Sequence, residues 1–84
     1  MPRIQKIVMM ETNYENIAML LKNGTSVEVH ADKYSIPTLR LLAQTAALHN
    51  AVLRLIVKPD TILAANLNLI SQDGHEHLSV KFVV

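Results

Sequence analysis

The 84-residue sequence contains no cysteine and no tryptophan, and only 4% of its residues are aromatic. The absence of cysteine excludes a disulfide framework and a thiolate metal site. The aromatic residues Tyr14, Tyr34 and Phe82 are too few to build the stacking platforms on which single-stranded nucleic acids bind. A net charge of +1 gives no support to recognition by charge either, so nucleic acid is not an expected partner.

The chain also lacks a long apolar run. No stretch approaches the roughly 20 residues that a membrane-spanning helix needs. Arg3, Lys6 and Glu11 interrupt the segment in which a signal peptide would lie. We therefore expect no membrane association and a cytoplasmic location. The length allows one domain, residues 1–84, and a composition that is 50% hydrophobic and 18% charged excludes a disordered chain.

Four segments alternate apolar and polar residues with the period of two that is typical of strands. In the third segment, Leu53, Leu55 and Val57 alternate with Arg54 and Lys58. The predicted strands are Ile4–Met10, Ser26–Ala31, Val52–Lys58 and Leu78–Val84.

Helix-starting residues precede each of the three segments between these strands. Thr12 and Glu15 have the spacing of a capping box. Ser35 is the expected N-cap of the second helix, with Pro37 in the first turn, where a missing N–H costs nothing. The third helix is expected to follow Pro59-Asp60.

Helix-stopping residues are equally well placed. The only two glycines of the chain, Gly24 and Gly74, both stand where a helix is expected to end, and Asn50 follows the second helix. Neither glycine is therefore available for a phosphate-binding loop. The predicted helices are Asn13–Asn23, Ile36–His49 and Thr61–Gln72.

Strands separated by helices imply parallel pairing through right-handed crossovers. The predicted fold is α/β, with a four-stranded, mainly parallel sheet in βαβαβαβ order and helices mostly on one face. The first strand could pair at an edge or antiparallel. Ser26, Val52 and Leu78 each open a strand at intervals of 26 residues, so the pattern is repeat-like.

The passage from Leu39-Arg40-Leu41-Leu42-Ala43 to Val52-Leu53-Arg54-Leu55 resembles the helix-then-strand passage of leucine-rich repeats. The resemblance covers about two repeat units and implies architecture only; such repeats are mostly protein-binding scaffolds. The asparagine that those repeats carry after the strand is missing, because Ala31-Asp32 and Lys58-Pro59 occupy its place.

Anti-sigma-factor antagonist (STAS-type) domains also alternate short strands and helices at this size. Their phosphorylated serine lies in an Asp-Ser-Ser-Gly or similar turn that opens the second helix. This chain has Tyr34-Ser35-Ile36-Pro37-Thr38 there, without the glycine or the preceding aspartate. Ser35 is therefore better explained as a helix N-cap, and a similar fold does not carry function.

The apolar content exceeds what a monomeric core of this size can bury, which favours self-association or a protein partner. We predict a non-enzymatic interaction or assembly module that forms homo-oligomers. Leu41 and Leu48 align on the polar side of the second helix, and Met19 is a similar outlier on the first. The alternative contact is the uncovered sheet face, where polar residues are mixed with Ile7, Met9, Ile56 and Val83.

A ligand-binding regulatory domain is the competing class of function. Ligands of open α/β sheets bind beyond the carboxyl ends of the strands. Acid–base and nucleophilic side chains are expected at that edge: His30, Asp32, Tyr34, Ser35, Lys58 and Asp60. Any set of polar loops contains such residues, so catalysis is not expected, and neither is a cofactor.

The histidines of the opposite edge are the other candidate site. If the segment from His75 to His77 is extended, both imidazoles point to the same side. With His49 they would supply three nitrogen ligands for zinc or nickel. The simpler interpretation is that these are exposed loop histidines.

Overall fold

The computed structural model describes residues 4–6 and 14–83. Short 3-10 turns lie at Ala31–Lys33 and His75–His77. The strands and helices are β1 (Ile4–Lys6), α1 (Tyr14–Lys22), β2 (Ser26–His30), α2 (Ile36–Leu48), β3 (Leu53–Val57), α3 (Ala64–Gly74) and β4 (Leu78–Phe82).

The predicted α/β class with a parallel sheet is confirmed. The five-residue strands β2, β3 and β4 form the body of the sheet, in which Val27 pairs with Leu53 and Leu53 with Leu78. The three-residue β1 pairs in parallel with β2, with Ile4 opposite Ser26. Residues 7–10, which the sequence also assigned to the first strand, lie outside the described residues.

The helices α1 and α2 each end one residue before the predicted Asn23 and His49, and the predicted capping residues Gly24 and Asn50 are in the left-handed conformation. Gly24 has a φ of 81°, and the next N–H, of Thr25, donates to the carbonyl of Leu20 at 2.9 Å. Asn50 has a φ of 61°, and the N–H of Ala51 donates to the carbonyl of Ala46 at 3.0 Å. Both are Schellman motifs, in which a residue in the left-handed conformation returns the chain onto the last helical turn.

The start of α2 is also confirmed. The Ser35 hydroxyl accepts a hydrogen bond from the backbone N–H of Thr38 at 3.4 Å, and Pro37 lies in the first turn. The capping box predicted for α1 at Thr12 lies outside the described residues, whereas Glu15 is in the first turn of that helix.

The predicted start of α3 is wrong by three residues. The helix begins at Ala64 rather than Thr61, because the preceding residues form a turn. Asp60 has a φ of 74°, and both the N–H and the hydroxyl of Thr61 donate to the carbonyl of Lys58, at 3.2 and 2.6 Å. These groups satisfy the turn, so α3 starts after Leu63 without a side-chain cap.

The predicted end of α3 is wrong for a different reason. Gly74 is the last helical residue and has ordinary right-handed dihedral angles, φ −90° and ψ −23°. It is a glycine because of packing: a Cβ there would lie 2.8 Å from the Cβ of Leu78 and 3.4 Å from that of Ala43. The left-handed residue that ends the helix is instead His75, with φ 51°.

One core connects the sheet and the three helices. Alternate residues of β2 and β3, namely Val27, Val29, Leu53, Leu55 and Val57, join it from the sheet. From the helices come Ile17, Ala18 and Leu21 of α1, Leu39, Leu42, Ala43 and Ala46 of α2, and Ile70 of α3. The three helices therefore pack on the sheet face that carries these strand residues. Leu63 and Leu69, by contrast, are exposed.

Candidate functional site

The outward surface of the helix layer carries exposed apolar side chains. Leu48 is 80% exposed, Met19 61% and Leu41 48%. Leu41 and Leu48 are seven positions apart on α2 and lie opposite the core residues Leu42 and Ala46. We call Met19, Leu41 and Leu48 the outer helix face. The structure thus leaves all three predicted helix residues accessible.

The sheet face away from the helices is polar. Glu28, Arg54 and Ser79 form one register row across β2, β3 and β4. Glu28 and Arg54 form an ion pair, with Arg54 Nη1 3.7 Å from Glu28 Oε1. Surface ion pairs of this kind contribute little to stability, but they keep a sheet face compatible with water.

Of the apolar residues predicted on that sheet face, the structure describes Ile56 and Val83, and neither is fully exposed. Ile56 is only 6% exposed, in a register row between His30 and Lys81. Side chains directly opposite across neighbouring strands lie within contact distance, so His30 and Lys81 occupy the positions from which this isoleucine can be covered. Val83 is half-buried, and Ile7 and Met9 lie outside the described residues. The prediction is therefore wrong for Ile56.

An apolar surface that the sequence did not reveal lies at β4. Phe82 shares the register row of the buried Val57, on the face that carries the helices, yet it is 60% exposed. Leu78 and Val80 are half-buried. The period of two identifies the face to which these side chains belong, but it does not show how far α3 extends over the last strand. Within the described sheet β4 has a single neighbouring strand, which leaves its side chains less covered than those of β3.

Three of the six residues predicted at the carboxyl ends of the strands line one concavity. A concavity of about 260 Å³ is lined by Asp32, Tyr34 and Ser35 of the predicted set, together with Ala31, Ile36, Thr61 and Ile62. His30, Lys58 and Asp60 do not line it.

The chemistry of that concavity is modest. The Ser35 hydroxyl is 2.9 Å from the Thr38 hydroxyl and caps α2, so its hydrogen bonds serve the helix. Burial raises the pKa of the Tyr34 phenol, which keeps that group protonated. Ser35 serves as the helix cap that the sequence predicts.

The histidine edge does not form the predicted metal site. The segment from His75 to His77 is a 3-10 turn rather than extended, because His75 ends α3 with a positive φ. His77 Nε2 lies 3.0 Å from Asn50 Oδ1. Within residues 4–6 and 14–83, no three His, Asp or Glu side chains are grouped closely enough to hold a metal, so His49 does not complete such a group.

A charged hydrogen bond fixes α3 against α2. Arg40 Nε donates to Asp73 Oδ2 at 2.7 Å, and Nη2 lies 3.5 Å from Oδ1. Hydrogen bonding from Arg40 is the main cause that lowers the pKa of the Asp73 carboxyl, and a bond from Gln44 adds to it. The same pair raises the pKa of Arg40.

Comparisons with models of protein families, with curated proteins and with solved structures found no match. The resemblance to leucine-rich repeats therefore stays a prediction about architecture. In the part of the chain that the structure describes, no helix has the length and apolar character needed to cross a membrane.

Proposed function

We propose that this protein is a small, non-enzymatic interaction module that self-associates through the outer helix face. The observation that carries the proposal is the exposure of Met19, Leu41 and Leu48 on one layer of the molecule. The proposal includes a repeat-like sheet with the helices mostly on one face. In such a layered domain the helices together form an outer surface that a second molecule can contact.

The energy available from this face suits a reversible contact. Complete burial of a leucine or methionine side chain is worth about 1.5–3 kcal/mol. Met19, Leu41 and Leu48 are between 48% and 80% exposed, and a two-fold contact covers them on both copies. Their burial therefore supplies about 6–12 kcal/mol, against an association cost of about 4–15 kcal/mol. We expect concentration-dependent association rather than a permanent oligomer.

The alternative, a ligand-binding regulatory domain, has weaker support. The strand-end concavity of about 260 Å³ is smaller than the roughly 300–1,000 Å³ of typical ligand pockets. The metal version of this alternative lacks a grouped set of ligands among the described residues.

The test is the solution mass, by light scattering on a sizing column, at low and high micromolar concentration. We expect the wild type to exceed 9.4 kDa as concentration rises. The double substitution Leu41→Lys with Leu48→Lys should fold normally and reduce that mass. The matched control is Asn68→Lys with Gln72→Lys, which adds the same charge at exposed positions of α3 and should leave association intact.

Two results would overturn the proposal. A wild type that stays monomeric at high micromolar concentration removes self-association altogether. An unchanged mass for the Leu41 and Leu48 variant removes the outer helix face as the contact.

A further inference from the structure

The outer edge of β4 exposes unpaired backbone groups. In the described residues, β4 has β3 as its only neighbour in the sheet. The N–H of Val83 donates to the carbonyl of Val57 at 2.9 Å, so this odd-numbered residue faces β3. Backbone groups of successive strand residues point to opposite edges, so those of Leu78, Val80 and Phe82 face the open edge.

This edge carries only part of the protection that edge strands usually have. Short strands, charged side chains such as lysine, proline, inward-pointing charges and bulges all discourage another strand from adding to an edge. β4 has the sequence LSVKF, with no proline and with Lys81 as its only charged residue. Lys81 shares a register row with Ile56, on the face away from the core, so no charge points inward.

We propose that β4 pairs antiparallel with β4 of a second copy of this chain, with Val80 opposite its own counterpart on a two-fold axis. Val80 is the central residue of β4, so the two strands overlap over their whole length. Leu78 then lies opposite Phe82 of the partner subunit, and Ser79 lies opposite the partner's Lys81. This contact rests on the proposed self-association and adds a second surface to it.

The side chains of β4 complement themselves in this register. Leu78, Val80 and Phe82 all belong to the face that carries the helices, so the two strands continue one apolar row. Phe82, which is 60% exposed in the single chain, gains the partner's Leu78 as a cover. The ammonium group of Lys81 lies opposite a serine hydroxyl, which can accept its hydrogen bond.

The two neighbouring registers, centred on Ser79 and on Lys81, overlap over fewer residues of β4, and the second is also disfavoured by charge. A shift that centres the pair on Lys81 places two ammonium groups directly opposite each other, which is destabilising. In the register centred on Val80, a second copy thus pairs the open backbone groups, continues the apolar row and keeps the two Lys81 ammonium groups apart.

The absence of cysteine makes the register directly testable. Opposite residues of a hydrogen-bonded antiparallel pair have Cα atoms about 5.5 Å apart, within the range of a disulfide. Val80→Cys should therefore form a disulfide-linked dimer on mild oxidation at low micromolar concentration. Leu78→Cys is the matched control on the same edge and face, because its two copies would be offset by four residues, roughly 14 Å.

A second variant tests the hydrogen bonds of the edge. Val80→Pro removes an N–H that faces outward and leaves the pairing with β3 intact, so the domain should fold and its mass should fall. Equal cross-linking of Val80→Cys and Leu78→Cys, or none in either, would overturn the proposal. An unchanged mass for a folded Val80→Pro variant would also overturn it.

The outcomes separate this contact from the outer helix face. If both surfaces operate, the wild type exceeds a dimer and each variant retains the other contact. If Leu41→Lys with Leu48→Lys stays dimeric and Val80→Pro becomes monomeric, the edge is the contact and the helix face is not. The reverse pattern eliminates the edge alone, and a monomeric wild type eliminates both.

Discussion

Replacing Gly74 with alanine should destabilise the protein, although alanine is the better helix former. The residue ends α3 with right-handed dihedral angles that alanine adopts without strain. Its added Cβ, however, would lie 2.8 Å from the Cβ of Leu78 and 3.4 Å from that of Ala43. Both neighbours are close to the backbone, so neither can move aside without shifting β4 or α2.

The magnitude follows from two opposing terms. Overpacking a close-packed core costs about 1–3 kcal/mol. The alanine regains about 0.4–1 kcal/mol, because it restricts the unfolded chain. We expect a net loss of about 1–2 kcal/mol in the free energy of unfolding. At about 4–8 °C per kcal/mol for a domain of this size, Tm should fall by roughly 5–15 °C.

The adjacent substitution His75→Gly should have the opposite sign. His75 has φ 51° and ψ −128°, a conformation that suits glycine and costs other residues about 1–3 kcal/mol. Glycine relieves that strain and loses about 0.4–1 kcal/mol through the entropy of the unfolded chain. The net gain should be about 1 kcal/mol.

Urea unfolding followed by far-UV circular dichroism measures both effects, with Asn68→Ala on the exposed side of α3 as the control for helix propensity. The control should gain a few tenths of a kcal/mol. If Gly74→Ala gains stability like the control, the close approach of α3 to Leu78 and Ala43 is wrong. If His75→Gly is destabilising, the strained conformation at the helix end is wrong.

Two further substitutions test the α2 cap and the α2–α3 ion pair. Ser35→Ala should cost about 1 kcal/mol of stability and Ser35→Gly only a few tenths, because the hydroxyl caps α2; equal costs in thermal unfolding would contradict the cap. Asp73→Asn should lower the urea midpoint near neutral pH and make little difference well below about pH 4, the usual pKa of an aspartate. Arg40 lowers the pKa of the Asp73 carboxyl in the folded state. The stabilisation from this pair is therefore present above the pKa that Asp73 has in the unfolded chain, and it is lost as the pH falls through the pKa in the folded state. A stability difference between wild type and variant that does not change with pH would argue against the pair.

The features of the fold that depend on a few adjacent residues could be predicted from the sequence. The ends at Gly24 and Asn50 are local motifs, in which a residue that tolerates positive φ directly follows the helix. The Ser35 cap is equally local, since the bonded Thr38 N–H is three residues away. Alternation in β2 and β3 identified the buried strand faces because both strands have neighbours on each side.

The errors arose where tertiary packing overrides local preference. Asp60 and Thr61 are good N-cap residues, but here they form a turn, and the sequence does not tell these uses apart. Gly74 looked like a helix stop and is instead a point of close approach to Leu78. Ile56 is buried although the sequence predicts it on the open sheet face, and Phe82 is exposed although it lies on the face that carries the helices. The reason is that coverage of a side chain depends on neighbouring strands and on the position of α3.

The sheet order has a consequence for how the chain folds. Paired residues are 26 positions apart between β2 and β3, as for Val27 and Leu53, and 25 apart between β3 and β4, as for Leu53 and Leu78. Each of these pairings closes a loop of nearly the same length. Each also joins strands that are consecutive in the sequence, so it can form before any later strand is in place. The unit from β2 to β3 supplies most of the core, so folding is expected to nucleate there and to spread outward one strand at a time.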